Sequence, residues 1–310
     1  MKYLVTGGAG FIGSNLCRSL ILEGHKVICL DDLSTGKRFN IAELEDDLNF
    51  EFVNHDLTKP YFPNDLDGIY NLACPASPVH YQYNPIRTLK MGTLAMYNVL
   101  GMAAKFKVPL LQASTSEVYG DPLEHPQSES YWGHVNPIGP RACYDEGKRV
   151  AEALCMAYKT HSGVSIRIAR IFNTYGPFMD VDDGRVVSNF CVQALTNNPL
   201  TIYGDGQQTR SFCYVDDLVS GLQSLMNSNL ESPVNLGNPK EFTMIELAEK
   251  IIDMTGSTNG YVLHDLPEDD PQRRCPDISF AKENLGWEPS INLSEGISTT
   301  LDWFRKCIND

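Results

Sequence analysis

The chain has 310 residues, 42% of them hydrophobic, enough to bury a full core as one large domain or as two lobes sharing a crevice. Its net charge of −14 opposes the counter-ion release that drives nucleic-acid binding, and no basic run makes a local exception. No apolar run approaches the ~20 residues needed to cross a bilayer and no charged-then-apolar leader opens the sequence, so a soluble, cytoplasmic protein with neither a membrane nor a nucleic-acid partner is expected.

The first segment, "KYLVTGGAGFIGSNLCRSLILEGHKVICLDD", reads as strand, glycine turn, amphipathic helix and second strand. Leu16, Leu20 and Ile21 share one helical face and Gly24 ends it. Buried-strand patterns follow at "FEFVNHD", "GIYNLAC", "PLLQAST" and "VSIRIARIF", with helical patterns over 86–105 and 143–161 between them. This alternation predicts an α/β fold whose mostly parallel sheet is covered on both faces. After about Asn173 the rhythm changes. "TYGPFMDVDDGR" is loop-like; a helix near "VVSNFCVQALTN", a strand "LTIYG" and a helix opened by Asp216 follow. "FTMIELAEKIIDMTG" carries a Thr243/Glu246 capping box and a terminal Gly256. These C-terminal pieces predict a smaller second lobe. The nine cysteines, Cys17, Cys29, Cys74, Cys143, Cys155, Cys191, Cys213, Cys275 and Cys307, contain no CxxC pair, which suits free thiols in a reducing compartment and predicts no metal site.

Gly7-Gly8-Ala9-Gly10-Phe11-Ile12-Gly13 lies between the first strand and the first helix. Glycines there let the backbone approach a pyrophosphate, to which the helix N-terminus presents N–H groups. Asp31, ending the second strand, is placed to accept both ribose hydroxyls and to repel a 2′-phosphate, so NAD is favoured over NADP despite the nearby cations Lys37 and Arg38. Asp56, just past the third strand, is placed to reach the adenine.

In "RACYDEGKRVAE" Tyr144 and Lys148 stand four residues apart, hence on one helical face. A phenol titrates near pH ~10 in water, and a neighbouring cation favours its phenolate. The glycine turn, the strand-end "STSEVYG" and Tyr144-x-x-x-Lys148 together resemble the extended short-chain dehydrogenase/reductase family. Longer stretches, among them "PASPVHYQYNP", "RIFNTYGP", "DDGRVVSNF", "YGDGQQTRSFCYVDDLV" and "DDPQRRCPDI", resemble the UDP-glucuronate decarboxylases (UDP-xylose synthases) within it, over nearly the whole chain.

The resemblance implies a Rossmann-type doubly wound sheet, with residues 1–173 and 212–238 binding NAD and residues 174–211 and 239–310 forming an α/β lobe for the nucleotide sugar. It implies that Tyr144 is the base, that Thr115 completes the hydroxyl pair, and that Lys148 holds the nicotinamide ribose and lowers the phenol pKa. Glu117 and Arg274 would act near C5 and the carboxylate of UDP-glucuronate. Cofactor contacts are implied for Gly7, Gly10, Phe11, Ile12, Gly13, Asp31, Asp32, Ser34, Thr35, Gly36, Asp56, Leu57, Leu72 and Cys74. Substrate contacts are implied for Pro75, Ser77, Tyr81, Lys90, Ser116, Asn173, Arg185, Val186, Asn189, Tyr203 and Arg210. The sequence departs from the pattern at Cys74, where relatives often carry a serine or alanine, and at Cys275, where a lysine is common. The resemblance also implies a homodimer. The rival readings are a sugar-nucleotide epimerase or 4,6-dehydratase on the same fold, and a dinucleotide-sensing regulator without catalysis.

Overall fold

A strand covered on both faces must be apolar almost throughout, and β1 (Lys2–Thr6) and β2 (Lys26–Asp31) are buried from their second residue onward. In the computed structural model, which describes residues 1–265 and 273–309, α1 (Phe11–Leu22) joins them. β3 (Phe50–Asn54), β4 (Gly68–Asn71), α2 (Pro78–Tyr83), α3 (Pro85–Lys90), α4 (Met96–Phe106), β5 (Leu110–Thr115), α5 (Ala142–Ser162) and β6 (Ile166–Ile171) complete the first half. Then come β7 (Thr174–Tyr175), α6 (Val186–Leu195), β8 (Leu200–Tyr203), β9 (Thr209–Ser211), β10 (Cys213–Tyr214), α7 (Val215–Met226) and β11 (Pro233–Leu236). The chain continues through β12 (Glu241–Thr243), α8 (Met244–Thr255), β13 (Tyr261–His264), β14 (Arg273–Arg274), α9 (Ser279–Leu285) and α10 (Leu293–Asn309).

Seven strands form one sheet in the order β11-β6-β5-β4-β1-β2-β3, every neighbouring pair parallel. This is the α/β Rossmann arrangement, with the order reversing at β1 and β4. The period of two along each strand builds two cores. Tyr3, Val5, Val27 and Cys29 pack with Leu16 and Leu20 of α1 and with Leu218 and Leu222 of α7. Leu4, Ile28, Leu30 and Ile69 pack on the other face with Met96, Val99 and Leu100 of α4 and with Cys155 of α5.

The later segments make three small sheets, β10-β7, β12-β9-β14 and β13-β8. α8 has the expected cap: Thr243 and Glu246 exchange both bonds of the capping box, and Gly256 adopts φ +71°. Asp216 does not open its helix. α7 starts one residue earlier, with Tyr214 as N-cap, and Asp216 lies in the first turn. The periodicity also missed β11, whose four residues carry the last strand of the main sheet. Of the stretch "DDPQRRCPDI", residues 269–272 lie outside the described residues. Among the described residues no helix is long and apolar enough to cross a membrane.

Candidate active site

The carboxyl ends of the central strands open onto a cavity of ≈890 Å³. Its dinucleotide side is made by the glycine turn. Gly7 has φ +68°, a Cβ on it would come within 2.9 Å of Ala73 and Leu72 backbone, and a Cβ on Gly13 would lie 2.1 Å from the Gly7 carbonyl oxygen. No other residue lets α1 begin this close to β1, and the N-terminus of α1 faces the cavity through Gly10, Phe11 and Ile12.

Asp31, buried at the end of β2, accepts N–H bonds from Ala9 (3.1 Å) and Leu33 (2.8 Å). Burial is the largest influence on its carboxyl and pushes it up, only partly offset by those bonds. The two cations that could have served a 2′-phosphate are engaged elsewhere: Lys37 Nζ is 2.6 Å from Asp180, and Arg38 makes a forked pair with Glu45 at 2.8 Å. A bare cradle of backbone N–H groups ending in an anionic acceptor fits NAD. Asp32, Ser34, Thr35, Gly36, Leu57, Leu72 and Cys74 line the same side, where Asp32 pairs with Arg87.

The Tyr144 ring is buried and stacks on Tyr81 with centroids 5.0 Å apart and planes 8° from parallel. α5 reaches this depth because its backbone touches the preceding helical segment: a Cβ on Gly92 would stand 2.4 Å from the Gly147 carbonyl. Gly92 sits in a π-helical turn, Met91–Ala95, that links α3 to α4. Thr115, the last residue of β5, lines the cavity with Tyr144, and its hydroxyl accepts the Glu117 N–H at 3.2 Å and draws the Tyr144 pKa down. Lys148 Nζ donates to the Ala113 carbonyl at 2.7 Å and lies 5.6 Å from the Tyr144 ring centre.

Burial raises the Tyr144 phenol pKa well above its ordinary value, and the Thr115 hydroxyl and the Arg185 charge offset only part of that. The protein's own groups therefore keep Tyr144 protonated. A further positive charge against the ring is needed before it can act as a base.

Beside this pair Glu117 is held by two arginines. Arg274 donates through both terminal nitrogens, at 2.6 and 2.8 Å, and Arg141 donates at 2.7 Å. Burial alone would raise the Glu117 carboxyl, but the Arg274 and Arg141 charges win and hold it well below the usual carboxylate range. Asp145, one residue past Tyr144, is pushed up to about 7, first by burial and then by the Glu117 charge. Two guanidiniums thus face the Glu117 carboxylate, with Asp145 close enough to feel all three charges. Arg141 had no role in the sequence reading. Its pairing with Glu117 crosses from the α5 N-terminus to the end of β5, and no periodicity reports such a contact.

Arg274 is steadied from the side. Gln127, fully buried, donates its backbone N–H to the Cys275 carbonyl, accepts the Asp277 N–H on its own carbonyl, and accepts the Cys275 N–H on Oε1 at 2.9 Å. β14 pairs with β9 so that Arg274 stands opposite Arg210, and both arginines line the cavity. Arg185 also lines it, forked onto Asp183 at 2.5 and 2.7 Å.

Pro75, Ser77, Ser116, Asn173, Val186 and Tyr203 line the cavity as well. Five predicted residues do not. Gly13 packs inside the turn, Tyr81 stands behind Tyr144, and Asp56 caps its own loop by accepting from Thr58 N (3.0 Å) and Oγ1 (2.8 Å). Asn189 spends its amide on the Gly184 carbonyl, and Lys90 is exposed at the end of α3. Cys275 also lies off the cavity, its thiol donating to the Pro239 carbonyl at 3.3 Å.

Comparison with known proteins gives a consistent picture. Residues 4–300 match the family model for GDP-mannose 4,6 dehydratase. UDP-glucuronic acid decarboxylase 1 of Xenopus tropicalis is 55% identical over 98% of this chain and 72% of its own length. UDP-glucuronic acid decarboxylase 1 of Arabidopsis thaliana is 53% identical over 99% and 71%. Among solved structures, UDP-glucuronic acid 4-epimerase from Bacillus cereus, in complex with UDP-glucuronic acid and NAD, superposes with a TM-score of 0.89 at 27% identity, covering 99% of this chain and 100% of that one.

Proposed function

This chain belongs to the GDP-mannose 4,6 dehydratase family and, within it, to the UDP-glucuronic acid decarboxylases, and on that premise we propose that it converts UDP-glucuronate to UDP-xylose and carbon dioxide with NAD retained as a catalyst. The observation that carries this reading is the convergence of the Tyr144–Thr115 pair with two arginines already gripping a carboxylate. Arginine's planar fork matches a carboxylate, which suits these two side chains to a carboxylated sugar.

NAD, held by the glycine turn and Asp31, would supply the hydride acceptor for C4 of the sugar and afterwards the hydride donor, which makes the overall conversion redox-neutral. Tyr144 removes the C4 hydroxyl proton, oriented by Thr115. A ketone at C4 lies β to the carboxylate on C5, so the C5–carboxylate bond can break with its electron pair delocalised onto the C4 oxygen. Tyr144 and Thr115, already aimed at that oxygen, stabilise the developing enolate. Arg274 positions the departing carboxylate, and Glu117 holds the water or hydroxyl that returns a proton to C5. Lys148, anchored on Ala113, holds the nicotinamide ribose. Arg185 and Arg210 bind the diphosphate, with Asn173 beside them and Tyr203 against the uridine.

Residues 1–173 and 212–238 hold the cofactor in this reading, and residues 174–211 and 239–310 hold the nucleotide sugar. The protein works in the cytoplasm as a homodimer through the Met91–Ala95 turn, α4 and α5, where Leu94, Tyr97, Val150 and Met156 remain exposed. The test is incubation of the purified protein with UDP-glucuronate and identification of products by NMR. UDP-xylose and carbon dioxide are expected, with Tyr144→Phe slowing carbon dioxide release by about 10²-fold or more. UDP-galacturonate as product, or undiminished release by Tyr144→Phe, would overturn the reading.

A further inference from the structure

Three ligand-bearing side chains that this chemistry does not use meet beside the β12-β9-β14 sheet. His125 Nε2 lies 3.0 Å from Glu241 Oε2, and with Cys275 Sγ the three atoms all fall within 4.8 Å of one another. They come from three distant segments. Glu241 opens β12 opposite Ser211, Cys275 follows the Arg274–Arg210 pair of β14 and β9, and His125 belongs to the loop between β5 and α5.

The group is braced on two sides. Thr209 Oγ1 donates to Glu241 Oε1 at 2.6 Å, which leaves Oε2 turned toward the imidazole. Gln127 clamps the Cys275 backbone through its own N–H and its side-chain oxygen, both at 2.9 Å. A coordinated thiol gives up its proton, and the charge of a bound cation would meet the Glu241 carboxylate beside it.

We propose that His125, Glu241 and Cys275 form a binding site for a zinc-type divalent cation. One thiolate, one imidazole and one carboxylate suit Zn²⁺ or Co²⁺ rather than Mg²⁺ or Ca²⁺, and three protein ligands leave a fourth tetrahedral position for water. On binding, the Cys275 S–H bond breaks, the metal–sulfur bond forms, and the proton passes to solvent. The His125 and Glu241 side chains are 32% and 26% exposed, so they can close to coordination distance without repacking the core. The ion would tie β12 to the segment just past β14, and so steady the strand that carries Arg274 into the cavity.

The test uses the untagged full chain, cleared of metal with a chelator and titrated with Co²⁺. One equivalent should bind, with a thiolate-to-cobalt charge-transfer band in the near ultraviolet that Zn²⁺ abolishes, and Zn²⁺ should raise the melting temperature. Cys275→Ser should lose the band. His125→Gln and Glu241→Gln should each weaken cobalt binding by about 100-fold or more, since even outer-shell changes cost about 10- to 100-fold. His125→Gln alters a partly exposed loop position, so it keeps the test decisive if another variant fails to fold. No charge-transfer band in the wild type, a band unchanged in Cys275→Ser, or cobalt affinity untouched in both Gln variants would each overturn the site.

Discussion

Replacing Glu117 by Gln tests the centre of the site, because the change keeps the shape and removes only the charge. Glu117 accepts three charge-assisted bonds, from Arg274 at 2.6 and 2.8 Å and from Arg141 at 2.7 Å, in a setting where its side chain is 13% exposed and theirs 6% and 14%. A carboxamide retains one acceptor and turns an N–H₂ donor toward a guanidinium donor. Breaking a buried pair by removing one partner costs about 3–5 kcal/mol. With an unfolding entropy of about 2.1 cal/mol/K per residue, that lowers the melting temperature of this 310-residue chain by about 5–8 °C. Asp145 softens the loss: relieved of the Glu117 charge that raises it, it ionises more readily and neutralises part of the stranded arginine charge.

The pH dependence has a definite sign. A depressed carboxyl contributes stability that is complete above its unfolded value of about 4.3 and is lost as pH falls toward its folded value, far lower here. The gap between wild type and Glu117→Gln should therefore be full at neutral pH and shrink steadily below about pH 4. Thermal unfolding from neutral to acid pH reads this directly. Turnover of UDP-glucuronate, with release of a free 4-keto pentose followed by NMR, reads the catalytic half. A melting temperature within about 1 °C of wild type at neutral pH would refute the electrostatic argument. Unchanged turnover and product ratio would remove Glu117 from the mechanism.

Two further variants probe the supports of the site. Gly13→Ala places a methyl 2.1 Å from the Gly7 carbonyl, so the turn must shift; a loss of about 1–3 kcal/mol in stability and at least tenfold weaker NAD binding by calorimetry are expected, and wild-type affinity would mean that the turn does not hold the cofactor. Asp145→Asn removes an acid whose pKa is raised in the folded protein, so wild-type stability declines as pH rises from about 4 to about 7 and levels off above, while the variant's does not; the variant should gain melting temperature over wild type at pH 8 and lose most of that gain by pH 5, and a gain that grows on acidification would contradict the assignment.

Short-range order was legible residue by residue. The strand, glycine turn and helix of the first βαβ unit, with Asp31 at its end, follow from local hydrophobic period and from glycines that a Cβ would obstruct, and the α8 capping box from two residues three apart. The Tyr144/Lys148 spacing likewise predicted a shared helical face. How deep the phenol sits, and so how far burial alone raises its pKa, depends on Gly92 and Gly147 touching across two helices and not on the four-residue spacing.

What the sequence by itself determined is therefore the alternation of elements, the dinucleotide turn and the chemical types available for catalysis, since these rest on interactions within a few residues. Tertiary structure alone decided that Arg274 reaches Glu117 across a separation of 157 residues and is joined there by Arg141, that Lys90 is exposed off the cavity, that β11 closes the main sheet, and that His125, Glu241 and Cys275 meet. Parallel strands and buried ion pairs join segments with no local signal of their partners, because the energy that brings them together comes from the burial and charge of a neighbour the chain supplies only on folding.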